Sequence, residues 1–164
     1  MEVVALTFRD GAIEGVIWYS LRRHEDMRGW LCELFRHDEI PPVCYPQMAY
    51  VSMTRPGVIR GPHEHRFQYD LFCFVGPSDF RVYLWDNRRS SPTYGVRQIV
   101  EAGESQPRAV IIPPGVVHAY RNIGSVPGWV FNAPNQLYAG WKRSQGVDEI
   151  RYENDPQSPF RIED

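Results

Sequence analysis

The chain of 164 residues is poor in lysine, in cysteine and in long apolar runs. Its only lysine is Lys142 among 18 basic residues, so arginine, which matches phosphates and carboxylates with a planar fork, supplies nearly all of the positive charge. The formal net charge is −2, and this excludes a global basic field that would attract nucleic acid or an anionic membrane. No apolar run approaches the ~18 residues that a membrane span needs.

The cysteines and the N-terminus indicate a compartment. Cys32, Cys44 and Cys73 are odd in number and form no CxxC pair, which predicts free thiols in a reducing environment. The first ten residues have an acid at position 2 and lack the basic and apolar regions of a signal peptide. We therefore expect a soluble, cytoplasmic protein with neither nucleic-acid nor membrane partners.

Turn-forming residues are frequent, and apolar runs are short. The 13 glycines and 14 prolines follow no period, which favours an all-β fold with many tight turns. In one run Phe80, Val82 and Leu84 alternate with polar residues, as on one face of a strand. Candidate strands are residues 3–8, 15–19, 30–35, 47–53, 67–74, 80–85, 97–100, 109–112, 117–122 and 129–133. Residues 145–153 are the one candidate for a short helix.

Turns recur about every 8–12 residues in the middle of the chain, a spacing typical of sandwiches and barrels. We find no linker, repeat or low-complexity tract. The sequence therefore predicts one domain over residues 1–164, an antiparallel jelly-roll barrel.

Three of the five histidines lie in two spaced motifs. The first reads Gly57-(x5)-His63-Glu64-His65-(x4)-Asp70-(x5)-Gly76, and the second reads Pro113-x-Gly115-x-x-His118-x-x-x-Asn122. On a strand, the alternation of His63 and His65 places both imidazoles on one face, ~6–7 Å apart. Together with Asp70 and His118 they form a set suited to divalent Fe, Mn, Ni, Co or Zn. The two motifs resemble the paired signature of the cupin superfamily, whose jelly roll is a double-stranded β-helix.

A narrower resemblance extends over residues 26–164. The matching stretches are Asp26-x-Arg28-Gly29-x-x-x-Glu33, Gly57-Val-Ile-Arg60-Gly61-x-His63, Asp86-x-Arg88-x-Ser90-Ser91-Pro92-Thr93-x-Gly95 and Ile112-Pro113-x-Gly115-x-x-His118. With these motifs the chain resembles the family of dTDP-4-dehydrorhamnose 3,5-epimerases, which are cupin-type jelly rolls.

The resemblance implies an isomerase that works without a metal on a nucleotide-activated 4-keto-6-deoxy sugar. It also implies a homodimer in which the N-terminal strands of one subunit reach the site of the other. Carried over by motif, the roles are nucleotide contact for Arg28, Glu33 and Gln47, phosphate contact for Arg60, base for His63, and pocket lining for His118. Histidine suits a base near neutral pH, because its ordinary pKa is ~6.5.

The sequence also departs from this family. Asp70 stands where the epimerases have a lysine that stabilises the enolate oxygen, and Phe131 stands where they have the acid tyrosine. The family's late aspartate, which orients the base, has no assigned counterpart. His65 stands where the epimerases usually have a glutamine. With His63 it forms a histidine pair that resembles the pair in the 3,4-ketoisomerases of dTDP-4-keto-6-deoxyglucose, where two histidines shuttle the proton. The acid is then His65, Tyr138 or another tyrosine of the pocket.

Two other functions stay open. A carboxylate beside a developing enolate is repulsive, where a lysine would contribute several kcal/mol in a dry site. A metal held by His63, His65, Asp70 and His118 would supply the positive charge as a Lewis acid, as in a metal-dependent oxygenase or small-molecule isomerase. A ligated His63, however, is no longer a free base. Alternatively, Asp70 only accepts a hydrogen bond from His63, or the chain is a ligand-binding cupin without turnover.

Overall fold

Two β-sheets pack face to face in the structure, a computed structural model that describes residues 6–162. In chain order the strands are β1 (Arg9–Asp10), β2 (Ile17–Ser20), β3 (Arg23–Asp26), β4 (Gly29–Cys32), β5 (Tyr50–Thr54), β6 (Ile59–Glu64), β7 (Asp70–Phe74), β8 (Asp79–Asp86), β9 (Val96–Gly103), β10 (Arg108–Ile112), β11 (Val116–Asn122), β12 (Gly128–Asn132) and β13 (Ile150–Arg151). Short 3₁₀ turns occur at Pro42–Cys44 and Trp141–Arg143.

The strand order is that of a jelly roll. The first sheet runs β1-β9-β8-β11-β6-β13 and the second runs β2-β10-β7-β12-β5, while β3 and β4 form a separate hairpin. Pairing among the described strands is antiparallel except between β1 and β9, which are parallel. The predicted all-β jelly roll is confirmed.

The alternation in β8 decides which side chains enter the core. Phe80, Val82 and Leu84 are buried between the two sheets, as their spacing predicts. Tyr83 and Trp85 point to the outer face of the first sheet, where the C-terminal tail covers them with Phe160. The outer face of the second sheet is covered in a similar way by the segment that follows β4, which contributes Leu34, Ile40, Cys44 and Tyr45.

The Ser-Pro-Thr-x-Gly motif of the sequence builds a polar corner after β8. The carboxylate of Asp86 is completely buried and forms an ion pair with Arg88, with 2.8 Å between Oδ1 and Nε. Its Oδ2 accepts hydrogen bonds from the hydroxyls of Ser91 and Thr93, each 2.6 Å long. Burial alone would raise the pKa of Asp86, but these donors outweigh it and lower that pKa to about 2. The motif therefore acts here as a structural element that fixes the turn.

The structure differs from the local expectations at three places. The short helix expected at residues 145–153 is wrong: this segment forms no helix and contains β13, which pairs with β6. The hairpin strand β3 was not predicted, because its residues Arg-His-Glu-Asp carry no apolar alternation. Of the strand expected at residues 3–8, residues 3–5 lie outside the described residues, and residues 6–8 are not in a strand; the last of them, Phe8, precedes β1 and packs against Trp85.

Cys32, Cys44 and Cys73 are unpaired in the structure. Between residues 6 and 162 we find no helix with the length and apolarity that crossing a membrane requires.

Candidate active site

Three imidazoles meet in the space between the sheets. His63 on β6 lies directly opposite His118 on β11, and directly opposed residues of an antiparallel pair point to the same face. His65 follows the end of β6. Ring nitrogens of the three histidines all lie within 4.8 Å of one another, so the structure brings together the histidines of the two motifs.

Asp70 joins this cluster from the second sheet, where it begins β7. The residue is 1% exposed, and its Oδ2 lies 3.2 Å from His65 Nε2 and 3.4 Å from His118 Nε2. Its other oxygen, Oδ1, accepts hydrogen bonds from Gln68 and Asn132 at 2.9 and 2.8 Å. The expected hydrogen bond from His63 to Asp70 is not formed, because Asp70 faces the other two histidines.

The backbone fixes the orientation of two rings. His118 Nδ1 donates to the carbonyl oxygen of Val116 at 3.0 Å, and His65 Nδ1 donates to the carbonyl oxygen of Asp148. Since a carbonyl only accepts, Nδ1 carries the proton in both rings, and in the neutral form each Nε2 presents a lone pair. Among the buried atoms of the cluster, His63 Nδ1, Asp70 Oδ2 and His118 Nε2 have no hydrogen-bond partner.

Burial and charge shift the protonation of the cluster. Burial lowers the pKa of His63 to about 2 and also lowers the pKa of His118. Burial would lower the pKa of His65 as well, but the adjacent carboxylate of Asp70 outweighs it and raises that pKa to about 9. In turn, His65 holds the pKa of Asp70 below its ordinary value despite burial. At neutral pH, therefore, His63 is an uncharged imidazole.

Glu153 is the carboxylate nearest to this base. Its Oε1 lies 3.8 Å from His63 Nδ1 and accepts a hydrogen bond from the Gly61 backbone N–H at 3.1 Å. The tail carries Glu153 to this position because β13 pairs with β6. Sequence reasoning missed the residue, since a helix was expected there.

A bulge in β6 places Arg60 on the same side as His63. His63 pairs with His118, but Arg60 pairs with Tyr120, so three steps on β6 match two on β11. In a regular strand, residues three apart point to opposite faces; the extra residue of the bulge removes that conflict. The Arg60 guanidinium donates to Thr54 Oγ1 and to the carbonyl oxygen of Met53, at 2.9 and 2.8 Å.

Tyr50 also presents its hydroxyl to the inner face. That hydroxyl is 3.0 Å from Asn132 Nδ2, and burial raises its pKa to about 12. Phe131 packs instead on the outer face of the second sheet, beside Cys73. Phe131 therefore does not occupy the position of an acid beside the histidines, and Asn132 is the neighbour that faces them. The strand alternation of residues 129–133 is the signal that identifies Asn132.

Tyr138 lies beside the cluster rather than in it. It is 57% exposed and lines a cavity of about 450 Å³ together with Gln68 and Asp148, which both contact His65. Asp148 also accepts hydrogen bonds from the backbone N–H groups of residues 66, 67 and 68. Asp148 thereby fixes the turn that carries His65.

The expected nucleotide contacts lie elsewhere in the chain. Arg28 is at the tip of the β3–β4 hairpin, where it pairs with Asp26 and is 89% exposed. Glu33 lines a smaller cavity of about 180 Å³ over the outer face of the second sheet and forms an ion pair with Arg36. Gln47 is exposed and donates its backbone N–H to Pro134. None of the three is among the side chains that contact the histidine cluster in the described part of the chain.

Known proteins similar to this chain agree with the architecture. A family model described as dTDP-4-dehydrorhamnose 3,5-epimerase matches residues 10–139. The probable low-salt glycan biosynthesis epimerase Agl13 of Haloferax volcanii is 36% identical over 120 residues, which cover 73% of this chain and 76% of that protein. The spore coat polysaccharide biosynthesis protein SpsL of Bacillus subtilis is 38% identical over 115 residues, covering 70% and 75%.

A solved structure shows the same fold. The crystal structure of a dTDP sugar isomerase from Desulfovibrio desulfuricans superposes with a TM-score of 0.80, covers 92% of this chain and 91% of its own, and is 24% identical.

Proposed function

Because this chain belongs to the family of dTDP-4-dehydrorhamnose 3,5-epimerases, we propose that it isomerises a nucleotide-activated 4-keto-6-deoxy sugar by moving a proton on carbon beside the ketone. The observation that carries this proposal is His63, a neutral imidazole between the sheets with Glu153 near its Nδ1. At this distance Glu153 forms no hydrogen bond with the ring, but its negative charge favours the protonated form of the imidazole.

The proposed reaction balances without a redox step. His63 removes the proton from carbon, the electron pair of the broken C–H bond forms a carbon–carbon double bond, and the ketone oxygen becomes an enolate. A proton then returns to the opposite face of the carbon, and the ketone re-forms. We propose Tyr50 rather than Tyr138 as the group that returns it, because the Tyr50 hydroxyl contacts Asn132, which in turn holds Asp70.

The substrate's diphosphate is proposed to bind Arg60, which the β6 bulge places on the side of His63. For Arg28, Glu33 and Gln47 to contact the nucleotide, a second subunit has to supply them. The exposure of Met27, Trp30 and Leu31 on the hairpin supports a homodimer in which this hairpin packs against its partner. We also propose that the chain forms a single domain and that it acts in the cytoplasm.

Deuterium exchange tests the proposal directly. Incubation in heavy water with a dTDP-4-keto-6-deoxy sugar is expected to place deuterium on carbon beside the ketone, detected by mass spectrometry and proton NMR. His63→Asn removes the base and is expected to lower exchange by about 10²–10⁴-fold. His37→Asn, at an exposed histidine that stacks on Tyr45 away from the cluster and the hairpin, is the matched control and keeps the wild-type rate. Binding of the sugar nucleotide without any exchange would identify a ligand-binding protein instead.

A further inference from the structure

We propose that Asp70 and His118 together bind a hydroxyl group of the substrate, the one on the carbon from which His63 removes the proton. In a 4-keto-6-deoxy sugar the ketone carbon C4 has two neighbours: C3 carries a hydroxyl group and C5 carries the methyl group. Proton exchange is thereby assigned to C3 rather than to C5. The reaction rests on the proposed function, whereas the hydroxyl site stands on the hydrogen bonds of the cluster.

Two buried acceptors of the cluster lie side by side without a partner. Asp70 Oδ2 and His118 Nε2 are 3.4 Å apart, the two residues are 1% and 2% exposed, and neither atom forms a hydrogen bond. The carbonyl oxygen of Val116 accepts the Nδ1 proton of His118, so Nε2 of the neutral ring presents a lone pair. Because an unpaired buried acceptor is costly, a donor that reaches both atoms would stabilise the site.

The amide donors beside these atoms are already used. Gln68 Nε2 is 3.1 Å from His65 Nε2 and 2.9 Å from Asp70 Oδ1. Asn132 Nδ2 donates to the Tyr50 hydroxyl and to Asp70 Oδ1, at 3.0 and 2.8 Å. His65 Nε2 lies 3.2 Å from Asp70 Oδ2, and when that nitrogen carries a proton, Oδ2 still has a second lone pair. A substrate group that donates would complete the pair.

The charge of Asp70 decides which substrate group fits. Burial would raise the pKa of Asp70, but the adjacent His65 holds it below its ordinary value, and an ionised carboxylate only accepts hydrogen bonds. A ketone or enolate oxygen also only accepts, so this position disfavours it, whereas a hydroxyl group donates. The family's lysine at this position is a donor and has the opposite preference. Asp70 therefore reverses which substrate oxygen is bound here.

The position of His63 connects this hydroxyl to the carbon that reacts. His63 lies directly opposite His118 on the neighbouring strand, with 4.4 Å between their ring centroids. A hydroxyl group one bond from the carbon that contacts His63 therefore lies beside His118. If C5 contacted His63 instead, its methyl group would face Asp70 and His118 and leave both without a donor. Sites with buried polar groups strongly disfavour a substrate group that cannot pair with them.

The position of deuterium in the product is the first test. The wild-type chain is incubated in heavy water containing EDTA with dTDP-4-keto-6-deoxyglucose, and proton NMR follows the C3 and C5 signals separately, corrected for exchange without protein. We expect exchange at C3 to be at least ~100-fold faster than at C5, within the discrimination that hydroxyl-binding sites reach. Exchange at C5 as fast as at C3 would overturn this inference and leave the proposed function intact.

A substrate without the 3-hydroxyl group tests the hydroxyl site itself. Its affinity for the wild-type chain, measured by isothermal titration calorimetry, is expected to be about 10–100-fold lower than that of the parent sugar nucleotide, because buried acceptors stay unpaired. No loss of affinity would overturn the site without recourse to any variant. A loss of affinity without exchange at either carbon would contradict the proposed function and retain the site.

Asp70→Asn places an amide nitrogen in the position of Oδ2 and keeps an oxygen for Gln68 and Asn132. Its affinities for the two sugar nucleotides should differ by less than ~3-fold, because the acceptor is gone; circular dichroism checks that it is folded. The matched control is Asp79→Asn, at a carboxylate that accepts the Ser105 backbone N–H at 2.9 Å at the start of β8. This control should keep the wild-type difference. An equal difference in the wild type and in Asp70→Asn would overturn the role of Asp70.

Discussion

The backbone of Gly61 lies against His118 so closely that a Cβ on Gly61 would be 2.6 Å from the His118 carbonyl oxygen. Gly61 belongs to the bulge of β6 and has φ +88°, a conformation that favours glycine. This contact sets the register of β6 on β11. Through that register it places both His63 and Arg60 on the inner side of the sheet.

Gly61→Ala therefore tests the bulge. We expect it to lower the free energy of unfolding by about 2 kcal/mol more than Gly57→Ala, because its methyl group overlaps backbone atoms in a packed region. Gly57 is the matched control: it also has a positive φ, of 75°, but a Cβ there meets no atom within 4 Å. Urea unfolding of both variants measures the difference. Equal losses of stability would show that the close approach of β6 to β11 is not required.

The sequence predicted the histidine cluster better than its surroundings. Alternation is a local property, so the shared face of His63 and His65 was readable from their spacing. The bulge was not, because it depends on how β6 pairs with a strand more than 50 residues away in the sequence. Without the bulge, Arg60 would point away from His63, and the sequence alone could not show why both face one pocket.

Long-range contacts also explain what was missed. Glu153 reaches His63 because Ile150 and Arg151 pair with β6 as an edge strand. The polar composition of residues 145–153 carried no periodic signal for such a strand. The family resemblance placed Phe131 at the position of the acid tyrosine. In the structure, the alternation of side chains along β12 places Phe131 on the outer face of the second sheet. The proposed roles of Arg28, Glu33 and Gln47 require a second subunit, because within one chain these residues lie away from the histidine cluster.

The buried carboxylate of Asp86 makes the stability depend on acid. Its pKa in the folded chain is about 2, below the ~3.9 of an unfolded chain. The stabilisation is therefore complete above pH ~5 and is lost progressively as the pH falls through ~2, a total of about 2.6 kcal/mol. Asp86→Asn should remove that part of the pH dependence, measured as unfolding free energy at pH 6, 4 and 3.

The control for Asp86 is Asp10→Asn, which breaks an exposed ion pair with Arg97. Exposed pairs contribute about 0–1 kcal/mol, so this variant should keep the wild-type slope between pH 6 and pH 3. If Asp86→Asn keeps that slope as well, another carboxylate is responsible for the acid sensitivity.

Two tyrosine substitutions separate the inner and outer faces of the second sheet. Tyr50→Phe removes the proposed acid and is expected to slow deuterium exchange by about 10²-fold or more. Phe131→Tyr adds a phenol on the outer face, beside Cys73, and should leave the rate unchanged although it restores the family's residue type. Steady-state rates with the sugar nucleotide measure both. A rate gain in Phe131→Tyr would contradict the register of β12 on β7.

In the proposed mechanism Glu153 acts on the substrate only through His63, and its effect is therefore expected on kcat rather than on KM. Glu153→Gln keeps an oxygen for the Gly61 N–H but loses the charge that stabilises the protonated imidazole, so kcat should fall by about 10–100-fold, part of what an acid–base group contributes. Glu153→Asp, which retains the charge, should recover some of that loss.

Arg60→Ala provides the contrast, because loss of a phosphate contact that is equal in the ground and transition states raises KM and leaves kcat unchanged. If Glu153→Gln raised KM alone, the carboxylate would be holding substrate, and the base would need another partner to orient it.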